Sequence, residues 1–153
     1  MEKSFPFTAF QAEQRIPVSD FPRAVAVADL NGDGKLDLVT PNEQSDDVSV
    51  LLGNGDGTFQ TERRFPVDHF PVSVVCADLD GDGILDLVTA NAEFVDDVSV
   101  LLGNGDGTFQ PEQRFTAGSG PASVAVADLN GDGTLDIVTA NQFSNDVSVL
   151  LHR

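Results

Sequence analysis

The chain repeats itself three times, and that repetition limits its possible folds more than any other feature. Residues 46–60 read DDVSVLLGNGDGTFQ, and residues 96–110 read the same. A third copy runs NDVSVLL and is followed by His152 and Arg153. A second block recurs as AVAVADLNGDGKLDLVT at 24–40, SVVCADLDGDGILDLVT at 73–89 and SVAVADLNGDGTLDIVT at 123–139. A third appears as FQAEQRI at 10–16, FQTERRF at 59–65 and FQPEQRF at 109–115. The order of the blocks never changes, so each copy of roughly 50 residues is one structural unit that buries its apolar faces against its neighbours.

Each copy contains four short β signals, A to D, typified by VAVAD, LDLVT, VSVLL and TFQ-x-E-x-R-F. They are rich in Val, Thr and Phe and are bounded by Gly, Asn, Asp or Pro. No window keeps a helical period over a useful length. A and B join through NGDG or DGDG, and C and D through GNGDG. These residue types tolerate left-handed backbone, so both joints read as hairpins. Four antiparallel strands, repeated, predict the blade of an all-β propeller. Strand A alternates Val and Ala with nothing polar, which predicts burial on both faces beside a crowded axis. A parallel β-solenoid would need shorter coils, and the hairpin turns count against it. Residues 1–16 then read as a blade-completing outer strand, 17–65 as repeat 1 and 66–115 as repeat 2. Residues 116–153 read as repeat 3, which lacks its own outer strand.

The A–B turns carry the chemistry. Loop one is Asp29-Leu-Asn31-Gly-Asp33-Gly-Lys35-Leu-Asp37. Loop two contains Asp78, Asp80, Asp82, Ile84 and Asp86, and loop three Asp128, Asn130, Asp132, Thr134 and Asp136, at the same spacing. Oxygen side chains fall at positions 1, 3, 5 and 9, and the carbonyl of position 7 (Lys35, Ile84, Thr134) can turn inward. Ca²⁺ takes 6–8 oxygens in a flexible cage, which Mg²⁺ fits less well. An EF-hand needs Glu at position 12 and flanking helices; here position 12 is Thr40, Thr89 or Thr139, and both flanks are β. Without a cation, the carboxylates packed into nine residues would repel one another. The expectation is about three Ca²⁺ per chain, bound tightest in loop two, where Asp80 adds a fourth carboxylate. The GNGDG turns hold one carboxylate each and read as turn chemistry.

Net charge is -17, from 25 acidic and 8 basic residues. That argues against nucleic acid and against docking on an anionic membrane. The segment MEKSFPFTAFQAEQ has no long apolar stretch, so neither a leader peptide nor a membrane-inserting helix is expected in it. Cys76 lies in the apolar run VSVVCAD and reads as a small buried strand residue. The histidines, His69 and His152, are isolated, with no Ser-His-Asp order and no zinc-type cluster, so no enzyme is expected.

The D-x-(D/N)-G-D-G-x-x-D loops, the VAVADL strand before them and the LLGNGDGTF turn after them resemble the FG-GAP/VCBS repeat family over nearly the whole chain. Such repeats form the propeller of integrin α subunits, with calcium loops in A–B hairpins, and occur in bacterial surface proteins and fungal lectins. The resemblance implies a non-catalytic interaction or assembly scaffold, extracellular or at the cell surface. A calcium-dependent lectin is the alternative, weakened because the chain has no Trp or Tyr on which to stack a sugar. A duplicated or designed repeat protein without a ligand is the other. A protein or carbohydrate partner is expected on the edge carrying the variable B–C and D–A loops, with Phe21, Arg23, His69, Phe70, Phe94 and Phe143. Three blades are fewer than the 4–8 of known propellers. The expectation is therefore a homodimer that exchanges outer strands to close a six-bladed ring; nine blades from three chains and a piece of a longer propeller are the alternatives.

Overall fold

The structure is a computed structural model that describes residues 10–153, so the SFPFTA segment at 4–9 and the first part of the expected outer strand 1–16 lie outside the description. The described chain forms eleven strands in three antiparallel sheets. Sheet one takes the order β1 (Ala26–Ala28), β2 (Asp37–Asn42), β3 (Asp47–Leu51), β4 (Arg63–Pro66). Sheet two takes the order β5 (Pro71–Ala77), β6 (Asp86–Asn91), β7 (Asp97–Leu101), β8 (Gln113–Thr116). Sheet three has β9 (Pro121–Ala127), β10 (Asp136–Asn141) and β11 (Asp146–Leu150), with β10 central. The order A–B–C–D follows from hairpin turns at every joint.

The register repeats with the sequence. Val39 pairs with Val50, Val88 with Val100 and Val138 with Val149. Because side chains alternate across a strand, each sheet carries one apolar set per face. Val39, Val48 and Val50 of sheet one meet Leu87, Leu101, Val74 and Cys76 of sheet two. Val88, Val98 and Val100 of sheet two meet Val124, Val126, Ile137 and Leu150 of sheet three. The sheets therefore stack in chain order, β5 against β1 and β2, and β9 against β5 and β6. Fully burying a Leu or Val here contributes about 1.5–3 kcal/mol, and stacking supplies burial that no single sheet could.

Two expectations change on contact with the structure. The outer strand is shorter than TFQ-x-E-x-R-F, because Phe59 and Phe109 make only isolated bridges, to Gly53 and Gly103. The backbone there is already spent on the turn, where Asn54 N donates to Thr58 O and Gln60 N to Leu52 O. Burial of strand A on both sides describes β5; among the described residues β1 and β9 each have a neighbouring sheet on one side only, and Val25, Val27 and Ala125 remain exposed. Residues 10–16, the FQAEQRI copy, form no strand. The described residues form three stacked sheets without ring closure.

Cys76 is the small strand residue its neighbours predict: it packs at the first interface, and burial pushes its thiol up to about 11, leaving it unreactive. Gly53 and Gly103 are required by close approach. A Cβ on Gly53 would lie 2.1 Å from the Leu36 carbonyl oxygen, and one on Gly103 2.3 Å from that of Leu85.

Candidate metal centre

In sheets one and two the A–B and C–D turns meet at one edge, and the Asp at position 9 joins them; in sheet three the residues just after β11 take the place of the C–D turn. Asp37 Oδ2 accepts from Leu30 N at 2.8 Å, and its Oδ1 from Gly53 N at 2.7 Å. Asp86 repeats this with Leu79 N and Gly103 N, both at 2.8 Å. Asp136 repeats it with Leu129 N and His152 N, both at 2.9 Å. All three carboxylates are buried. Sequence reasoning assigned this position to metal alone and missed its clasp role. The signal was present: an Asp opens strand B in every copy, next to a turn rich in backbone N–H groups.

Position 1 organises the loop from the other side. Asp29 accepts from Gly32 N and Gly34 N at 2.8 Å, and Asp78 from Gly81 N at 2.8 Å and Gly83 N at 2.9 Å. Asp128 does the same with Gly131 N and Gly133 N. The Gly34 N–H, followed by its neighbours, holds Asp29 below the usual carboxylate range. Those glycines take positive φ, 79° at Gly34 and 86° at Gly83, a backbone that glycine adopts without a Cβ penalty.

Among the described residues, one set of three acidic groups converges: Asp78, Asp80 and Asp86 in loop two, with ligand oxygens within 4.8 Å of one another. Oxygens 2.3–2.6 Å from a shared Ca²⁺ lie at separations of this size, so the donor set fits the ion. Burial, joined by the carboxylates of Asp80 and Asp82, pushes Asp86 above the usual range, a cost that a bound cation would offset. Position 5 is turned to the backbone: Asp33, Asp82 and Asp132 accept from Lys35 N, Ile84 N and Thr134 N. In loop one Lys35 Nζ also sits 3.7 Å from Asp33. In loop three Asn130 Nδ2 and Thr134 Oγ both donate to Asp132. Asn31 and Asn130 bring an amide where loop two has Asp80. The GNGDG turns are satisfied internally, since Asp56 accepts from Thr58 N and Oγ1, and Asp106 from the matching Thr108 groups.

The opposite edge carries the aromatic loops. Phe21, Phe94 and Phe143 are exposed, and Phe70 and Phe94 meet edge-on at 6.0 Å. Phe21 and Phe70 hold φ of 58° and 56°, where the third copy uses Gly120. Phe143 lies over Gly120, so closely that a Cβ there would meet its ring at 2.4 Å. Arg23 pairs with Glu43 at 3.0 Å. His69 is not isolated: its Nδ1 lies 2.7 Å from Asp46, which raises its pKa.

A buried polar network lies behind this edge. Asn91 Nδ2 donates to Asp97 and to Ser99 Oγ at 2.8 Å, and Ser99 Oγ donates to Glu112 at 2.6 Å. Burial, with the nearby Asp68, pushes Asp97 up to about 6. Burial would also raise Asp68, but the Arg114 guanidinium and the His69 N–H outweigh it and leave Asp68 low. Asp97 is thus protonated more readily in the folded chain than in the unfolded one. Between pH of about 4 and about 6 the folded chain keeps a proton that the unfolded chain loses, so stability falls as pH rises through that window. Asp97→Asn should flatten this slope and stabilise the protein at pH 7 by about 1 kcal/mol after allowance for solvent screening. Urea melts at several pH values check it; an unchanged slope would contradict it.

Among the described residues, no helix is long and apolar enough to cross a membrane. The family model described as an FG-GAP-like repeat matches residues 29–89 and 85–139. No curated protein matches the chain. Among solved structures, the pore of a Photorhabdus luminescens Tc holotoxin aligns with a TM-score of 0.55 at 24% identity, covering 89% of this chain and 6% of that one. A chain of the crystal structure of BBS1N in complex with ARL6DN aligns with a TM-score of 0.52 at 15% identity, covering 80% of this chain and 38% of that one. This chain therefore spans a small part of each structural neighbour, and at these identities the likeness is one of fold. With both family matches running across the loops and strands described above, the chain belongs to the FG-GAP-like repeat family.

Proposed function

We infer that this chain is a calcium-stabilised propeller module that serves as a non-catalytic interaction scaffold. The observation that carries the reading is the convergence of Asp78, Asp80 and Asp86 in a rigid hairpin loop. Loop two is the strongest site; loops one and three share its spacing and glycine geometry and bind more weakly. Asp78, Asp80 and Asp86 supply carboxylate oxygens, and the Ile84 carbonyl and water complete the shell. The ion's contribution is charge neutralisation and cross-linking of the loop, with no chemistry on a substrate. Membership of the family supports a location outside the cell, where modules with Kd of about 10⁻⁴–10⁻³ M are loaded. A partner binds at the aromatic edge formed by Phe21, Phe70, Phe94 and Phe143, which stands on rigid sheets.

Binding to the folded state alone stabilises it by about 2.7 kcal/mol at a hundredfold excess of ion over Kd. Calcium should therefore raise the melting temperature of chelator-stripped protein by several degrees, and Mg²⁺ should raise it less. Asp80→Asn should remove most of the increment. Identical melting curves with calcium and with chelator would overturn the reading.

A further inference from the structure

The stack of three sheets ends in two apolar faces, and each repeats one side of an interface that already exists inside the molecule. On sheet one, Val25 and Val27 are 65% and 55% exposed. Their counterparts Val74 and Cys76 pack on the first core, and Val124 and Val126 on the second. On sheet three, Val147 and Val149 are 65% and 51% exposed, although their counterparts Val48, Val50, Val98 and Val100 are all buried. The same residue types that hold sheet one to sheet two are thus presented, unpaired, at opposite ends.

A cavity marks a second incomplete feature. At the first interface Phe109, from the C–D turn of sheet two, packs edge-on against Phe65 at 5.2 Å. At the corresponding place in the second interface lies a cavity of about 500 Å³, lined by Leu102, Phe115, Leu135, Leu150 and Leu151. Phe115, the counterpart of Phe65, is 44% exposed. Alongside it, β11 is an edge strand, paired among the described residues with β10 alone.

One segment of this sequence matches what is missing. Residues 10–16, FQAEQRI, align with FQTERRF and FQPEQRF, which supply Phe59 or Phe109 and then strand β4 or β8. They form no strand of their own. In sheet one Glu62 accepts from Ser49 Oγ, and Arg64 Nε donates to Asp47 at 2.7 Å. By the same register Glu13 would reach Ser148 and Arg15 would reach Asp146. In the structure Arg15 instead pairs with Glu13 at 2.7 Å, fully at the surface.

We propose that a second copy of this chain occupies the outer edge of sheet three, inserting its residues 10–16 beside β11 and its Phe10 into the cavity. The exchange is reciprocal, so two copies close a twofold ring of six sheets, with the Val25–Val27 face of each against the Val147–Val149 face of the other. A closed twofold assembly leaves no further edge for growth. The inference does not depend on calcium.

Light scattering on the full chain, in calcium and in chelator, tests it. The expected result is twice the chain mass. Phe10→Asp places a charge in the apolar cavity and should weaken association about a hundredfold or more, while circular dichroism shows the sheets retained. Arg15→Glu and Asp146→Arg should each weaken it about tenfold, and the double reversal should recover most of that loss. A monomer at every concentration, a mass of three chains, or a dimer indifferent to Phe10→Asp would overturn the proposal.

Discussion

Asp86→Ala is expected to destabilise the protein by about 4 kcal/mol in chelator, and by more in calcium. The carboxylate is buried and accepts from two backbone N–H groups, those of Leu79 and Gly103. Removing it strands both donors away from water, at about 1–3 kcal/mol each, and separates the A–B loop from the C–D turn. Metal loss adds to this in calcium, but the clasp accounts for the cost in chelator. Asp80→Ala is the control, because Asp80 is exposed and, among the described residues, bonds only within its own loop, accepting from Asp82 N. In chelator it should be neutral or slightly stabilising, since it removes a charge that disfavours ionised Asp86. Urea melts of the two variants, each with and without calcium, separate clasp from ligand. A loss below about 1 kcal/mol for Asp86→Ala in chelator would show that the clasp contributes little.

The second large effect lies in the stacking of the sheets. Val98→Asp should cost about 4 kcal/mol or more, enough to unfold much of the population of a protein of ordinary stability. Val98 is fully buried between sheets two and three, and an unpaired carboxylate there has no partner to offset its desolvation. Val147→Asp makes the same chemical change at the matching position of the third copy, which is 65% exposed. It should leave the sheets of one chain folded and act only on association with a second. Paired thermal melts and mass measurements check the contrast. Equal destabilisation of single chains by both variants would contradict the stacking described here.

Much of this architecture was legible from pattern alone. Repetition fixed the number of units, and Gly-Asn-Asp turns fixed the hairpins. The clasp made by Asp37, Asp86 and Asp136 was not, because an Asp in a calcium-like loop satisfies a ligand pattern equally well whether or not it also accepts from two amides. The Asn91–Asp97–Ser99–Glu112 network was hidden for a similar reason: Asn91 and Asp97 stand at strand ends, where such residues favour turns, and only the register brings them together with Ser99 and Glu112. The shortened outer strand depended on how the GNGDG turn spends its backbone hydrogen bonds, which strand propensity does not report. The carboxylate count singled out loop two by Asp80, and among the described residues loop two is where three acidic groups converge. His69, by contrast, gave no sign in the sequence of its partner Asp46, which lies in another loop.

The most direct test of calcium as the centre of this molecule is a calorimetric titration of chelator-stripped protein, run on the wild type and on Asp80→Asn. The account predicts saturable calcium uptake in which the tightest step belongs to loop two and is weakened or lost in the variant. No uptake, or a titration unchanged by Asp80→Asn, would contradict it.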